Sequence, residues 1–154
     1  MEERGIDIEE LIIGAIRSRS KDPSESIRLR VELAKKFIME AREGGLNAGD
    51  SIQASEKAYK AAGGEVVKAL AEKYNLPEFQ QAVKEGRWYT YQLSSVANKL
   101  SRMLGNWVLN GWSSAYLLHV WGGFHEAKLG VNDVVGYIDE VERMVKEAEK
   151  ILTH

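Results

Sequence analysis

The segment from Asn132 to Leu152, NDVVGYIDEVERMVKEAEKIL, sets Val134, Ile138, Val141, Val145, Ala148 and Leu152 at alternating spacings of four and three. That is the period of an α-helix with one apolar stripe. A strand, with its period of two, would scatter the same residues over both faces. The pattern recurs along most of the chain. Ile27, Val31, Ala34, Ile38 and Ala41 repeat it behind Asp22, Pro23 and Glu25, which fit an N-cap and a first turn, and Gly44–Gly45 closes the segment. A third stretch begins near Asn47 and Asp50 and turns Ile52, Ser55, Tyr59, Ala62, Val66 and Leu70 inward. Its small residues allow a neighbouring backbone to approach closely. Pro77 opens a short connector, and a fourth helix near Thr90 to Leu104 carries Leu93, Val96, Leu100 and Leu104. A fifth starts between Asn106 and Trp112, and Asn132 reads as the cap of the last.

A leading segment, IDIEELIIGAIRSR, has Asp7 and Glu10 at capping-box spacing and an apolar face of Ile8, Leu11, Ile12 and Ala15. The expected architecture is all-α. It is an antiparallel bundle of about five long helices over residues 22–152, with a short helix in residues 1–21 packed on it through that apolar face. No strand, repeat or low-complexity linker interrupts the pattern. A length of 154 residues fits one domain with its own core.

Composition narrows the function. There is no cysteine, which excludes disulfides and thiolate metal sites, and three histidines are few for a closed metal site. No metal or cofactor is expected. A net charge of −2 does not favour a general nucleic-acid binder. The chain has no transmembrane-length apolar run, and its N-terminus is acidic rather than signal-like, so a cytoplasmic protein without membrane contact is expected. AAGGEVV has no lysine after its glycines and is not a phosphate loop.

One stretch concentrates chemistry: WSSAYLLHVWGGFHEAKL, Trp112 to Leu129. At about 100° per residue Trp112, Tyr116, His119, Gly123 and Glu126 share a face, with Gly122 and His125 on the adjacent one. His119 and His125 diverge by about 120°, a poor chelating pair. His119 and Glu126 lie about 10 Å apart along the axis. The glycines between them would floor a groove that holds a water, a partner side chain or a small ligand. The alternative is equally physical: histidines in packing positions, and glycines that let two helices touch. Asp50, Gln53, Glu56 and Lys57 form a second polar group, on the outer part of the third helix, with Glu56 and Lys60 at ion-pair spacing. Arg17, Arg19, Arg28 and Arg30 are candidate phosphate contacts, although they also read as a solvated face.

Two of these segments together, GDSIQASEKAYKAAGGEVVKALAEKY and GWSSAYLLHVWGGFHEAKL, resemble the PaREP family of archaeal proteins. The resemblance runs from about Ser26 to Leu152. It rests on Gly49-Asp50, Gln53-Ala54-Ser55-Glu56-Lys57, Leu118-His119 and Phe124-His125-Glu126 in combination. It implies a thermophilic archaeal source and a helical fold like the HEPN (higher eukaryotes and prokaryotes nucleotide-binding) domain. Such domains pair as homodimers and often act as RNases or in toxin–antitoxin pairs. Active HEPN members place a histidine four to six residues after an arginine. Here 16 residues separate Arg102 from His119, and 10 separate Arg143 from His154, so the motif is absent. The expectation is therefore a non-catalytic homodimeric protein that binds a partner or a small ligand. The alternative is a nucleic-acid enzyme using His119 and Glu126.

Overall fold

A computed structural model describes residues 8–19, 22–122 and 129–153. The described residues are almost all helical, and none is in a strand. Helix α1 is Ile8–Arg19. Helix α2, Ser24–Glu40, runs without a break into a wider π-helical turn, π1, Ala41–Leu46. Helix α3, Ser51–Tyr59, continues through π2, Lys60–Val66, into α4, Val67–Lys73. The connector at Pro77 is itself a helix, α5, Pro77–Glu85. Helices α6, Thr90–Leu104, and α7, Asn106–Leu117, follow; α7 passes into π3, Leu118–Gly122. Helix α8, Val131–Leu152, is the last.

The apolar stripes of the sequence build the core. Ile27, Val31, Ala34, Ile38 and Ala41 are all buried, as are Leu93, Val96 and Leu100, and Val134, Ile138, Val141, Val145 and Ala148. Each valine, leucine or isoleucine among them contributes roughly 1.5–3 kcal/mol through burial. α8 lies along α7 and α2, while α6 packs on α7 and α4. Asp22 accepts the Ser24 amide at 3.0 Å, but α2 starts one residue later than expected, with Pro23 rather than Asp22 in the cap position. α8 begins one residue earlier than its expected cap. Gly130 precedes the helix, Asn132 is its second residue, and Asp133 accepts the Gly130 amide at 3.3 Å.

The first helix differs from its expected orientation. Ile8, Leu11 and Ile12 are 64%, 60% and 49% exposed, and Ala15 is exposed too. The face turned to the bundle is Glu10, Ile13 and Arg17, of which Ile13 is fully buried. The apolar face lost because Glu10 and Arg17 find charged partners on α2 and α4, which a periodicity of hydrophobic residues does not register. Asp7, its expected cap, lies outside the described residues.

The Gly-Gly pairs sit where the helices widen. Gly44–Gly45 is inside π1 and Gly63–Gly64 inside π2, while Gly122 closes π3. At Gly63 a Cβ would lie 2.7 Å from Trp112 Cζ3, so only a glycine lets the α7 indole seat against this helix. π-turns of this kind recur at functional sites.

Candidate functional site

Helix α3 is set by its first turn. The Asp50 side chain accepts the Gln53 amide at 3.0 Å, and Gln53 Nε2 donates back to the Gly44 carbonyl at 3.0 Å. Asp50 and Gln53 therefore cap the helix and fasten it to π1. Three residues on, Glu56 points to the end of α7. Its Oε2 lies 3.3 Å from Nδ1 of His119, across 63 residues of sequence. Both side chains are partly open, 22% exposed for Glu56 and 14% for His119.

The imidazole is held on its flat side as well. Tyr59, one turn beyond Glu56 along the helix path, stacks on it with ring centroids 4.1 Å apart and planes 12° from parallel. Tyr116 flanks it at 6.4 Å and is 42% exposed. Trp112 stands behind both tyrosines, 6.0 Å from each. It is 3% exposed, with its indole N–H on Ser94 Oγ at 3.0 Å, so it belongs to the core and supports the site from beneath. The carboxylate on Nδ1 and the stacked Tyr59 ring together set the orientation of the imidazole.

The expected groove is not floored by Gly122. That glycine is buried, and a Cβ on it would drive into the Ser55 hydroxyl of α3. It serves close packing between α3 and the end of α7. Gly123, His125 and Glu126 lie outside the described residues. The backbone is π-helical over Leu118–Gly122, wider than the ordinary helix along which His119 and Glu126 were projected. Ser55 is fully buried, and its hydroxyl has no hydrogen-bond partner among the described residues.

Lys57 points the other way. It pairs with Glu40 at 2.8 Å and lies 5.5 Å from the centre of the Phe37 ring. The hydrogen bond from Lys57 holds the Glu40 carboxyl below its ordinary range. Lys57, Glu40 and Gln53 line a surface groove of about 300 Å3 with Met39, Glu43 and Gly44. Lys60 lies over the same phenyl ring at 5.5 Å, so Glu56 pairs with His119 and not with the lysine four residues on.

The four arginines do not gather into a phosphate-binding surface. Arg17 grips Glu72 through Nε at 3.2 Å and Nη2 at 3.1 Å. Arg30 is 1% exposed and committed to Glu10, Glu65 and the Gly64 carbonyl. Arg19 and Arg28 are exposed on α1 and α2. Among the described residues no group of three or more His, Asp or Glu is placed to hold a metal ion, and no helix is long and apolar enough to cross a membrane.

Fold and site together define a class: an all-α bundle in which a carboxylate on one helix fixes a histidine on another. Within that class the comparisons are specific. The archaeal PaREP1/PaREP8 family matches residues 29–145, and the chain belongs to that family. A crystal structure of a protein from Sulfolobus solfataricus is similar, with 36% identity and a TM-score of 0.70, over 79% of this chain and 98% of that one. No curated protein matches. Both family-like segments fall inside the matched range, and the Glu56–His119 pair is where they meet. Sequence reasoning named both residues yet paired neither with the other, and it read Tyr59 only as an inner-face residue. The sole signal was the co-occurrence of the two segments, since a contact across 63 residues leaves no trace in local spacing.

Proposed function

We propose that this protein is a non-catalytic, HEPN-like helical protein of the cytoplasm of a thermophilic archaeon. It acts as a homodimer and binds a protein partner or a small polar ligand at the surface shared by α3 and the end of α7. The Glu56–His119 pair carries this reading. It is a part-open, oriented donor–acceptor group between a stacked Tyr59 and an exposed Tyr116, as a recognition site requires. Arg17 and Arg30, which a phosphate-processing site would need, are engaged with glutamates instead. The test is native mass spectrometry of the protein purified from its own host, wild type beside His119→Gln and Glu56→Gln. A bound species present in the wild type and lost from both variants, at unchanged melting temperature, supports the reading. Retention of that species in both variants overturns it.

A second reading has one observation in its favour. A carboxylate on Nδ1 is also what orients an imidazole for proton transfer, so His119 with Glu56, in place of Glu126, would serve an RNA-cleaving enzyme. Cleavage of RNA by the wild type that disappears in His119→Gln would establish it.

A further inference from the structure

A second concentration of charge lies under α1 and plays no part in the proposed recognition site. Arg30 holds the Glu10 carboxylate with both terminal nitrogens, Nη1 to Oε2 at 2.8 Å and Nη2 to Oε1 at 2.9 Å. Lys68 Nζ adds a third bond to Oε2 at 3.1 Å. The guanidinium is fixed from the bundle side, where Nη1 also donates to the Gly64 carbonyl at 3.0 Å and to Glu65 at 3.1 Å. Its Nε–H is buried with no acceptor among the described residues, one donor more than Glu10 uses. A rigid, buried guanidinium fork beside an ammonium is a preorganised receptor for a planar carboxylate.

The receptor and its occupant come from different parts of the chain. Arg30, Gly64, Glu65 and Lys68 lie within the family match at residues 29–145, whereas Glu10 lies before it. α1 is held mainly by charge. Ile13 is its one buried residue, and its apolar side chains Ile8, Leu11 and Ile12 face away from the bundle. Arg17 adds its pair with Glu72 and lies 5.3 Å from the centre of the Phe79 ring. Buried ion pairs contribute little net stability because desolvation offsets their attraction. An element with so little apolar burial opens at low free energy. Burial, reinforced by the nearby charge of Glu10 and opposed by Arg30, pushes the Glu65 carboxyl up to about 8. At neutral pH it is protonated and does not repel an arriving carboxylate.

We infer that Arg30 and Lys68 form a carboxylate-binding site of the bundle, which α1 fills in cis with Glu10 and from which a carboxylate ligand displaces it. The carboxylate comes either from acidic side chains of a peptide or from a small dicarboxylic acid, and the test separates the two. In full-length Glu10→Ala the site is vacated. Sodium acetate should then bind saturably and raise the melting temperature by about 3–6 °C at ten times its dissociation constant. Sodium chloride at equal ionic strength should not. In the wild type, a hexaglutamate peptide and succinate are added separately at fixed ionic strength, and amide exchange is followed in α1 and α8. The inference expects about tenfold faster exchange in α1 with one of them, α8 unchanged, and the effective compound identifies the source. If Glu10→Ala fails to fold, the wild-type experiment decides alone. Absence of acetate binding in a folded variant overturns the inference. So does α1 exchange that responds to chloride as it does to both carboxylates, or to neither.

Discussion

At Gly122 the α7 path presses against the Ser55 hydroxyl, and two substitutions on either side of that contact should behave oppositely. Gly122→Ala inserts a methyl where the Ser55 side chain already sits, so it should lower stability by about 1–3 kcal/mol. Ser55→Ala removes a fully buried hydroxyl that has no partner among the described residues. It should leave the protein as stable or gain about 1 kcal/mol, because the desolvation cost of an unpaired polar atom disappears. Denaturant melts of the two variants check both signs. Glu65 offers a pH-dependent case. Its carboxyl, at about 8 in the folded protein, ionises near 4.5 when exposed. The unfolded chain therefore releases this proton first, and folding stability falls between pH 4.5 and about 8. Glu65→Gln carries no such linkage. Its stability relative to wild type should rise across that window, reaching about 2–4 kcal/mol at pH 8 and vanishing near pH 4. Parallel melts at pH 4 and pH 8 would show the crossing; an offset equal at both values would remove Glu65 as the source.

Among the elements, α1 departs furthest from its sequence pattern; on α3 the one large residue expected inward that turns out is Ile52, 40% exposed. Hydrophobic periodicity assigned Ile8, Leu11, Ile12 and Ala15 to the bundle, yet Glu10, Ile13 and Arg17 face it. Three charged partners, Arg30, Lys68 and Glu72, lie on other elements and outbid an apolar stripe of only three large side chains. This attachment titrates. Burial alone would raise the Glu10 carboxyl, but the hydrogen bonds and charges of Arg30 and Lys68 prevail and bring it down to about 2. A detached Glu10 takes up its proton near 4.5. The stability that Glu10 gives to docking is thus full above pH 4.5 and is lost as pH falls toward 2. Acidification should free residues 8–19 before the bundle melts. Heteronuclear NMR relaxation of α1 and α8 between pH 5 and pH 2.5 measures this; simultaneous loss of both would refute it. The other long elements follow their stripes, because α2, α6 and α8 each offer one continuous apolar face and few charges in it.

For the molecule as a whole, the proposed homodimer has a direct test. Sedimentation at micromolar concentration should show a species of twice 17.3 kDa, and a 17.3 kDa species alone would refute it. Apolar surface is available for such an association, with Tyr116, Leu117 and Trp121 at the end of α7 between 38% and 45% exposed. The helical fold, the order and extent of its long elements and most of the core were legible in the sequence. Local periodicity sets which residues of a helix can be buried together, and local chemistry sets where helices start and stop. Asp50, Glu56, Lys57 and His119 were legible as chemistry, but their roles were not. Asp50 became a cap, Lys57 a partner of Glu40, and only Glu56 and His119 came to share a site. Those outcomes depend on which helices lie side by side and on how a π-turn re-aims the residues beyond it. Both are decided by close contacts between segments far apart in sequence, such as Gly63 on Trp112 and Gly122 on Ser55, where the absence of a single Cβ sets the approach of two backbones.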